Sequence, residues 1–265
     1  MPKFNANLTM MFNEVAFIDR FAAAAQAGFK GVEFLFPYPY EKSQLVDVLG
    51  ETKLQVILFN MPAGDWNAGD RGLACDPGRL TEFQEGVGKA IDYAQALGCR
   101  QIHCMAGLRA RAINDEKMRE TYLTNLRFAG TELAKHNLKL LIEGINTRDI
   151  PGFYLNTSRQ AFDVMHYAEV PNLSFLYDCY HMQIGEGDLA PTIEKNLGKI
   201  GHFQIADTPG RHEPGTGEIN YPFLFDHLDR LGYLGWVGCE YRPATTTEAG
   251  LGWLKRYQPG EHARE

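Results

Sequence analysis

The chain has 265 residues, 45% of them hydrophobic, and a net charge of −7. That length supports one sizeable core, and α/β barrels of this size form a single domain. The acidic balance argues against a non-specific nucleic-acid binder, which would carry a basic patch, and no stretch approaches the roughly 20 apolar residues needed to span a bilayer. The five cysteines (Cys75, Cys99, Cys104, Cys179 and Cys239) form no CxxC pair and lie mostly in or beside apolar runs. Reduced thiols in a reducing compartment are expected, with no disulfide framework. The N-terminal "MPKFNANLTMMF" has no long apolar core, so a cytoplasmic protein without a signal peptide is expected.

Short apolar runs alternate with helical patterns from end to end. "FNANLTM" is the first strand; in "AFIDRFAAAAQAGF", Phe17, Ile18, Phe21, Ala22 and Ala25 share helical spacing and Gly28 supplies a stop. "GVEFLF" is the second strand, "KSQLVDVL" its helix and "LQVILFN" the third strand. Val87, Ala90, Ile91, Ala94 and Leu97 form one helical face closed by Gly98, and "QIHCMAG" is the fourth strand. Residues 114–136 predict a long helix with Met118, Tyr122, Leu126, Ala129 and Leu133 inward. "LKLLIE", "NLSFLYD", "IGHFQIA" and "GWVGCE" are strands five to eight; "SRQAFDVMHYA" follows the fifth, and helical patterns near 189–196, 221–231 and 246–256 follow the last three.

Strands apolar on both faces belong to a buried parallel sheet. Eight β/α units predict a (β/α)8 TIM barrel over residues 1–258, with a polar tail over 259–265. A doubly wound open sheet is weaker, since no GxGxxG follows the first strand. Two long loops, 61–79 and 207–221, follow strand C-termini, the face where barrel active sites sit.

Four consecutive strands finish on oxygen donors: Glu143, Asp178, Gln204 and Glu240. In a barrel those ends ring one mouth. Three carboxylates so close repel, and a divalent cation removes the conflict. Hard oxygen donors suit Mg²⁺ or Mn²⁺, with no organic cofactor. A cation held this way can stabilise an enediolate, and Glu143 and Glu240, across the ring from one another, have the chemistry to take a proton from one carbon and return it to the next.

These residues, with "FNANLTMMF", "GFKGVEFLFPY", "PAGDWNAGDRGLACDPGR", "QIADTPGRHEPGTGEINY", "GWVGCEYRP" and "TTEAGLGW", resemble the hydroxypyruvate isomerase family of xylose-isomerase-like TIM barrels over nearly the whole chain. The resemblance implies interconversion of hydroxypyruvate and tartronate semialdehyde (2-hydroxy-3-oxopropanoate) through an enediol. It also implies Glu143 and Glu240 as the acid/base pair and Glu143, Asp178, Gln204 and Glu240 as metal ligands. Related ketose epimerases carry His at the position of Gln204, and relatives tend to carry Pro at the position of Gly144. A sister group that isomerises 2-oxo-tetronates is similar over the same length; its substrate differs by one hydroxymethylene, which a pocket separates by only ~1–3 kcal/mol.

Either substrate is a small 2-oxo or hydroxy acid, so the site needs a cation. Arg211 in "PGRHEPG" suits a carboxylate, His181 in "DCYH" suits a substrate oxygen, and Asp70 and Arg71 are placed to close over the mouth. His103 and His202 read as core residues, and Glu213 and Glu218 as loop hydrogen-bond partners. No nucleic-acid or membrane partner is expected, and a homo-oligomer is allowed for. A metal-dependent phosphoesterase or nuclease on the same barrel would call for more His ligands and a basic groove; a non-catalytic carbohydrate-binding barrel would have no need of two glutamates flanking a metal.

Overall fold

The computed structural model describes residues 2–110 and 112–257. Its eight parallel strands are β1 (Lys3–Asn7), β2 (Gly31–Phe34), β3 (Gln55–Asn60), β4 (Gln101–His103), β5 (Lys139–Glu143), β6 (Leu173–Asp178), β7 (Ile200–Ile205) and β8 (Trp236–Cys239). They pair in sequence order and close, β1 against β8, into the expected barrel. The tail expected over 259–265 lies outside the described residues.

Helices α1 (Asp19–Gln26), α2 (Lys42–Thr52), α3 (Leu80–Leu97), α4 (Asp115–Ala134), α5 (Ser158–Ala168), α6 (Cys179–Gly185), α7 (Leu189–Asn196), α8 (Tyr221–Arg230) and α9 (Thr247–Gly250) cover the outside. Local signals explain several bounds. The Asn114 side chain caps α4 by accepting from the Lys117 N–H, and all five residues expected to face inward on that helix are buried. Gly98 ends α3 in the left-handed conformation, φ +64°. Two expectations shift. α3 starts seven residues before Val87, and α1 buries Phe21 and Ala24, with Ala22 left exposed.

Strand alternation divides the apolar residues into two sets. Ile142, Tyr177, Phe203, Val237 and Cys239 face the helices in the main core. Leu58, Leu141 and Leu176 form a separate cluster in the barrel lumen. Lumen space is tight: a Cβ at Gly201 would lie 2.9 Å from Leu141 Cδ2 and 2.8 Å from Ser174 Cβ. All five cysteines are free and buried. Among the described residues, no helix is long and apolar enough to cross a membrane.

Leu176 is fully buried in that lumen cluster. Leu176→Ala should therefore cost about 2–5 kcal/mol, because the rigid staves cannot collapse into the gap. Leu176→Met should cost less than about 1.5 kcal/mol. Urea denaturation of both variants checks the difference.

Candidate active site

The two-residue period that places Leu141 and Leu176 in the lumen places Glu143 and Asp178 one step further along, at the mouth. On the neighbouring strands His202 and Gln204 follow the same phase, as do Gly238 and Glu240. The register ties them together: Asp178 pairs with Gln204, and Gln204 with Gly238. Glu143 and Asp178 end β5 and β6, Gln204 is the penultimate residue of β7, and Glu240 follows β8 directly. Ligand-capable atoms of Glu143, Asp178, His181 and Glu240 all lie within 4.8 Å of one another, and all four residues are buried.

Asp178 and Gln204 are each held by one contact and left open at another, whereas Glu240 is held at both oxygens. Asp178 is the N-cap of α6, a helix absent from the sequence reading; its Oδ1 accepts the Tyr180 N–H at 2.8 Å, leaving Oδ2 free for the site. The Gln204 amide nitrogen donates to Glu33 Oε1 at 2.7 Å. A carboxylate of this kind only accepts, so the amide oxygen is forced to point the other way. Glu240 accepts from Asn7 Nδ2 at 3.2 Å and from Arg211 Nη2 at 2.6 Å. Glu143 Oε1, Asp178 Oδ2 and Gln204 Oε1 are buried without a hydrogen-bond partner. Unsatisfied buried oxygens are costly, and three at one mouth fit a cation-binding site.

His181 has a defined tautomer. Asn146 Oδ1 accepts the Asp149 N–H at 2.9 Å, which turns the Asn146 amide nitrogen toward His181 Nδ1 at 2.6 Å. Nδ1 is thus the acceptor and Nε2 carries the proton, 3.6 Å from Asp178 Oδ2 and 3.8 Å from Glu143 Oε1. Burial, with Arg211 and His103 nearby, holds the ring well below the usual imidazole range, so it is a neutral donor.

Burial also governs the carboxylates. It pushes Glu143 well above the usual range, and repulsion from Glu240 and Asp178 adds to it. Burial raises Asp178 to about 6 against the opposing pull of Arg211 and the Tyr180 and His181 amides. It raises Glu240 to about 8 against the same arginine. Arg211 itself loses by burial, but Glu240, Asp178, Glu143 and Asp149 more than restore its charge.

The cavity above these groups has a volume of about 470 Å³. Arg71, Arg211 and Arg242 line it, with Trp66, His103 and Tyr180. Arg211 sits at the tip of the loop after β7 with φ +56°. That loop is pinned by Asp207, which accepts the Gly215 and Ile219 N–H groups at 2.9 and 3.0 Å. Arg211 then spans Glu240 and Asp149, the latter at 3.5 Å, so it orients a catalytic candidate as well as facing the cavity. Arg71 stacks on Trp66, its guanidinium carbon 4.0 Å from the ring centroid. The loop carrying both passes close to the fourth stave: a Cβ on Gly72, φ +112°, would lie 2.3 Å from the Met105 carbonyl oxygen.

Several sequence expectations change. Asp70 does not line the cavity; Arg79 draws it off at 2.6 Å, and it closes its own loop by accepting the Asp65 N–H. His103 is a mouth residue, not only a core one: its Nδ1 meets Asn60 Oδ1 at 3.1 Å and its unpartnered Nε2 lies 3.6 Å from Glu143 Oε2. Burial takes His103 down to about 3. Glu213 and Glu218 are loop partners, accepting from the Ala244 N–H and Gln183 Nε2. Glu33, Asn5, Asn7, Asn60, Asp149 and Arg242 were missed. For Glu33 a signal existed, since a carboxylate interrupts the apolar "GVEFLF" just as Glu143 ends "KLLIE". Burial would raise Glu33, but His202 and the Gln204 and Asn5 amides outweigh it and hold the carboxylate below its usual range.

Residues 21–257 match the family model described as "Xylose isomerase-like TIM barrel". The hydroxypyruvate isomerase of Escherichia coli (strain K12) is 52% identical over 258 residues, covering 97% of this chain and all of that one. The 2-oxo-tetronate isomerase of Cupriavidus necator is 51% identical, covering 97% of this chain and 99% of its own. A crystal structure from Brucella melitensis, named AP endonuclease, family 2, superposes with a TM-score of 0.95 at 46% identity, covering 97% of this chain and 100% of that one.

The crowding of charge has a measurable consequence. Glu240 titrates from about 4.5 when unfolded to about 8 when folded. Its raised value contributes stability that is fully present below about 4.5 and lost as the pH rises through about 8. In metal-free protein, Glu240→Gln should therefore raise the melting temperature relative to wild type more at pH 8 than at pH 5. Thermal scans of the two proteins at both pH values check the sign.

Proposed function

Because the chain belongs to the hydroxypyruvate isomerase and 2-oxo-tetronate isomerase family of xylose isomerase-like barrels, we propose that it interconverts hydroxypyruvate and tartronate semialdehyde with a divalent cation at the barrel mouth. The observation that carries the cation is the set of three orphaned buried oxygens on Glu143, Asp178 and Gln204, with Glu240 beside them. Those four residues would hold it. Oxygen donors of this kind suit Mg²⁺ or Mn²⁺. When bound, such an ion acts as a Lewis acid toward the carbonyl and hydroxyl oxygens of a 2-oxo acid.

The side chains supply the remaining chemistry. Isomerisation removes a proton from the hydroxyl-bearing carbon and delivers one to the adjacent carbonyl carbon, through an enediol. Glu143 and Glu240 are the groups for the two transfers, since both are carboxyls whose affinity for a proton is raised by burial, Glu240 to about 8. Arg211 fixes the Glu240 carboxylate from one side and Asn7 from the other. His181 offers its Nε2–H to a substrate oxygen without carrying charge. Arg71 and Arg242 place positive charge along the cavity wall for the substrate carboxylate.

The chain is almost equally similar to the two isomerase types, at 52% and 51% identity. A cavity of about 470 Å³ gives room for the extra hydroxymethylene of a 2-oxo-tetronate, so that acid is the second reading. The name of the Brucella relative points to phosphodiester chemistry in that protein. A mouth lined by buried carboxylates, in a chain of net charge −7, does not favour a polyanionic substrate here.

Glu143→Gln and Glu240→Gln should each lower kcat by orders of magnitude with unchanged circular dichroism; wild-type turnover in either variant removes the acid/base pairing. Incubating the wild type with hydroxypyruvate in deuterated water should place deuterium on the carbon skeleton, a result a phosphoesterase does not give. Chelator should abolish the activity, and Mn²⁺ or Mg²⁺ should restore it. The ratio of kcat/KM values on hydroxypyruvate and a 2-oxo-tetronate decides between the two acids.

A further inference from the structure

Beneath the mouth, the lumen holds one more carboxylate. Glu33 on β2 is 1% exposed and lies at the centre of four hydrogen bonds. Its Oε2 accepts from Asn5 Nδ2 at 2.7 Å and meets His202 Nε2 at 2.8 Å; its Oε1 accepts from Asn7 Nδ2 at 3.1 Å and Gln204 Nε2 at 2.7 Å. Four donors on two oxygens use the accepting capacity of a carboxylate and leave no place for a proton. The barrel makes room for it on the facing stave: a Cβ at Gly238 would lie 2.3 Å from Glu33 Oε2. Glu33, Asn5, Asn7 and His202 are absent from the cavity lining, and Gln204 alone of the group reaches it.

Two of the four donors belong to residues that lead to the mouth. Gln204 has an amide whose two ends are nearly the same size, so nothing steric decides which faces outward. Glu33 decides it, because an acceptor-only partner turns the nitrogen inward and leaves Oε1 outward and unpartnered. Asn7 is fixed as well, its Oδ1 taken by the Thr9 N–H at 3.0 Å, and the same Nδ2 that meets Glu33 reaches Glu240 Oε1 at 3.2 Å. We propose that Glu33 is a positioning residue for the cation site, which sets the Gln204 amide with its oxygen toward the ion and, through Asn7, steadies Glu240. The inference rests on the cation reading of the mouth.

Glu33→Gln keeps the size but brings an N–H₂ group into a nest of four donors. One way to relieve that conflict is for Gln204 to flip, which turns its own N–H₂ toward the cation. Ligand-orienting partners of this kind are worth about 10–100-fold in metal affinity.

The test is titration of the full-length, metal-stripped protein with Mn²⁺, followed by calorimetry and by the electron paramagnetic resonance spectrum of the bound ion. Wild type should bind one Mn²⁺; no binding there overturns the cation reading itself. Given binding, Glu33→Gln should weaken it about 10–100-fold and change the bound-ion spectrum. In a Gln204→Ala background, the same Glu33→Gln change should cost much less, since the amide it sets is gone. Wild-type affinity in Glu33→Gln, or losses that simply multiply in the double variant, overturns the proposal. Should Glu33→Gln not fold, Glu33→Asp replaces it in the same cycle: it keeps the charge but withdraws it from Gln204, and wild-type affinity in that variant equally overturns the proposal.

Discussion

Closing eight parallel strands on themselves forces every second side chain into a lumen that has no other occupant. Everything at the mouth follows from that constraint. Leu141 and Glu143, Leu176 and Asp178, His202 and Gln204, Gly238 and Glu240 are in-phase pairs on four adjacent staves, and a shift of one residue on any stave would turn its donor into the helical layer. The lower members pack, make space or, for His202, hold Glu33; of the upper members Glu143, Gln204 and Glu240 line the cavity and Asp178 is fully buried beside them. Stability and chemistry are thus stacked along the same axis, two residues apart.

The cost of this arrangement is electrostatic. Glu143, Asp178 and Glu240 are buried together, and Glu33 adds a fourth carboxylate below them. Burial alone disfavours their charge, and mutual repulsion adds to it for Glu143. One arginine, held by a rigid loop with Asp207 as its anchor, reaches back to oppose it. The two histidines at the mouth contribute no charge, because each is buried and depressed. A site so unevenly balanced is poised for a cation, and an anionic substrate needs the arginines on the wall above it.

Polar groups under the mouth then do the orienting. Asn146 sets the tautomer of His181, Asn7 and Arg211 hold the two sides of Glu240, and the α6 cap takes one Asp178 oxygen so that the other is presented. For His181 and Asp178 the contact takes one polar atom and leaves the other turned to the site; Glu240 is held at both oxygens. Rigid staves make such second contacts effective, since their side chains have few alternative rotamers in a packed lumen.

The order of strands and of most helices, the closed barrel and the placing of Glu143, Asp178, Gln204 and Glu240 on one rim were legible in the sequence, because apolar periodicity and strand-terminal oxygen donors are local features. α6 was not legible: seven residues following an N-capping Asp178 are too few for a helical period to stand out. Nor was the fate of Asp70, whose partner Arg79 lies across a loop, or of His103, whose facing depends on which side of a three-residue strand is inward. Glu33 shows the limit most clearly. Its residue type and strand were visible in "GVEFLF", but its partners come from β1 and β7, 26 to 171 positions away. Residue type and period are written along the chain, whereas which donor meets which acceptor is decided only when the staves close and bring distant strands within hydrogen-bonding reach.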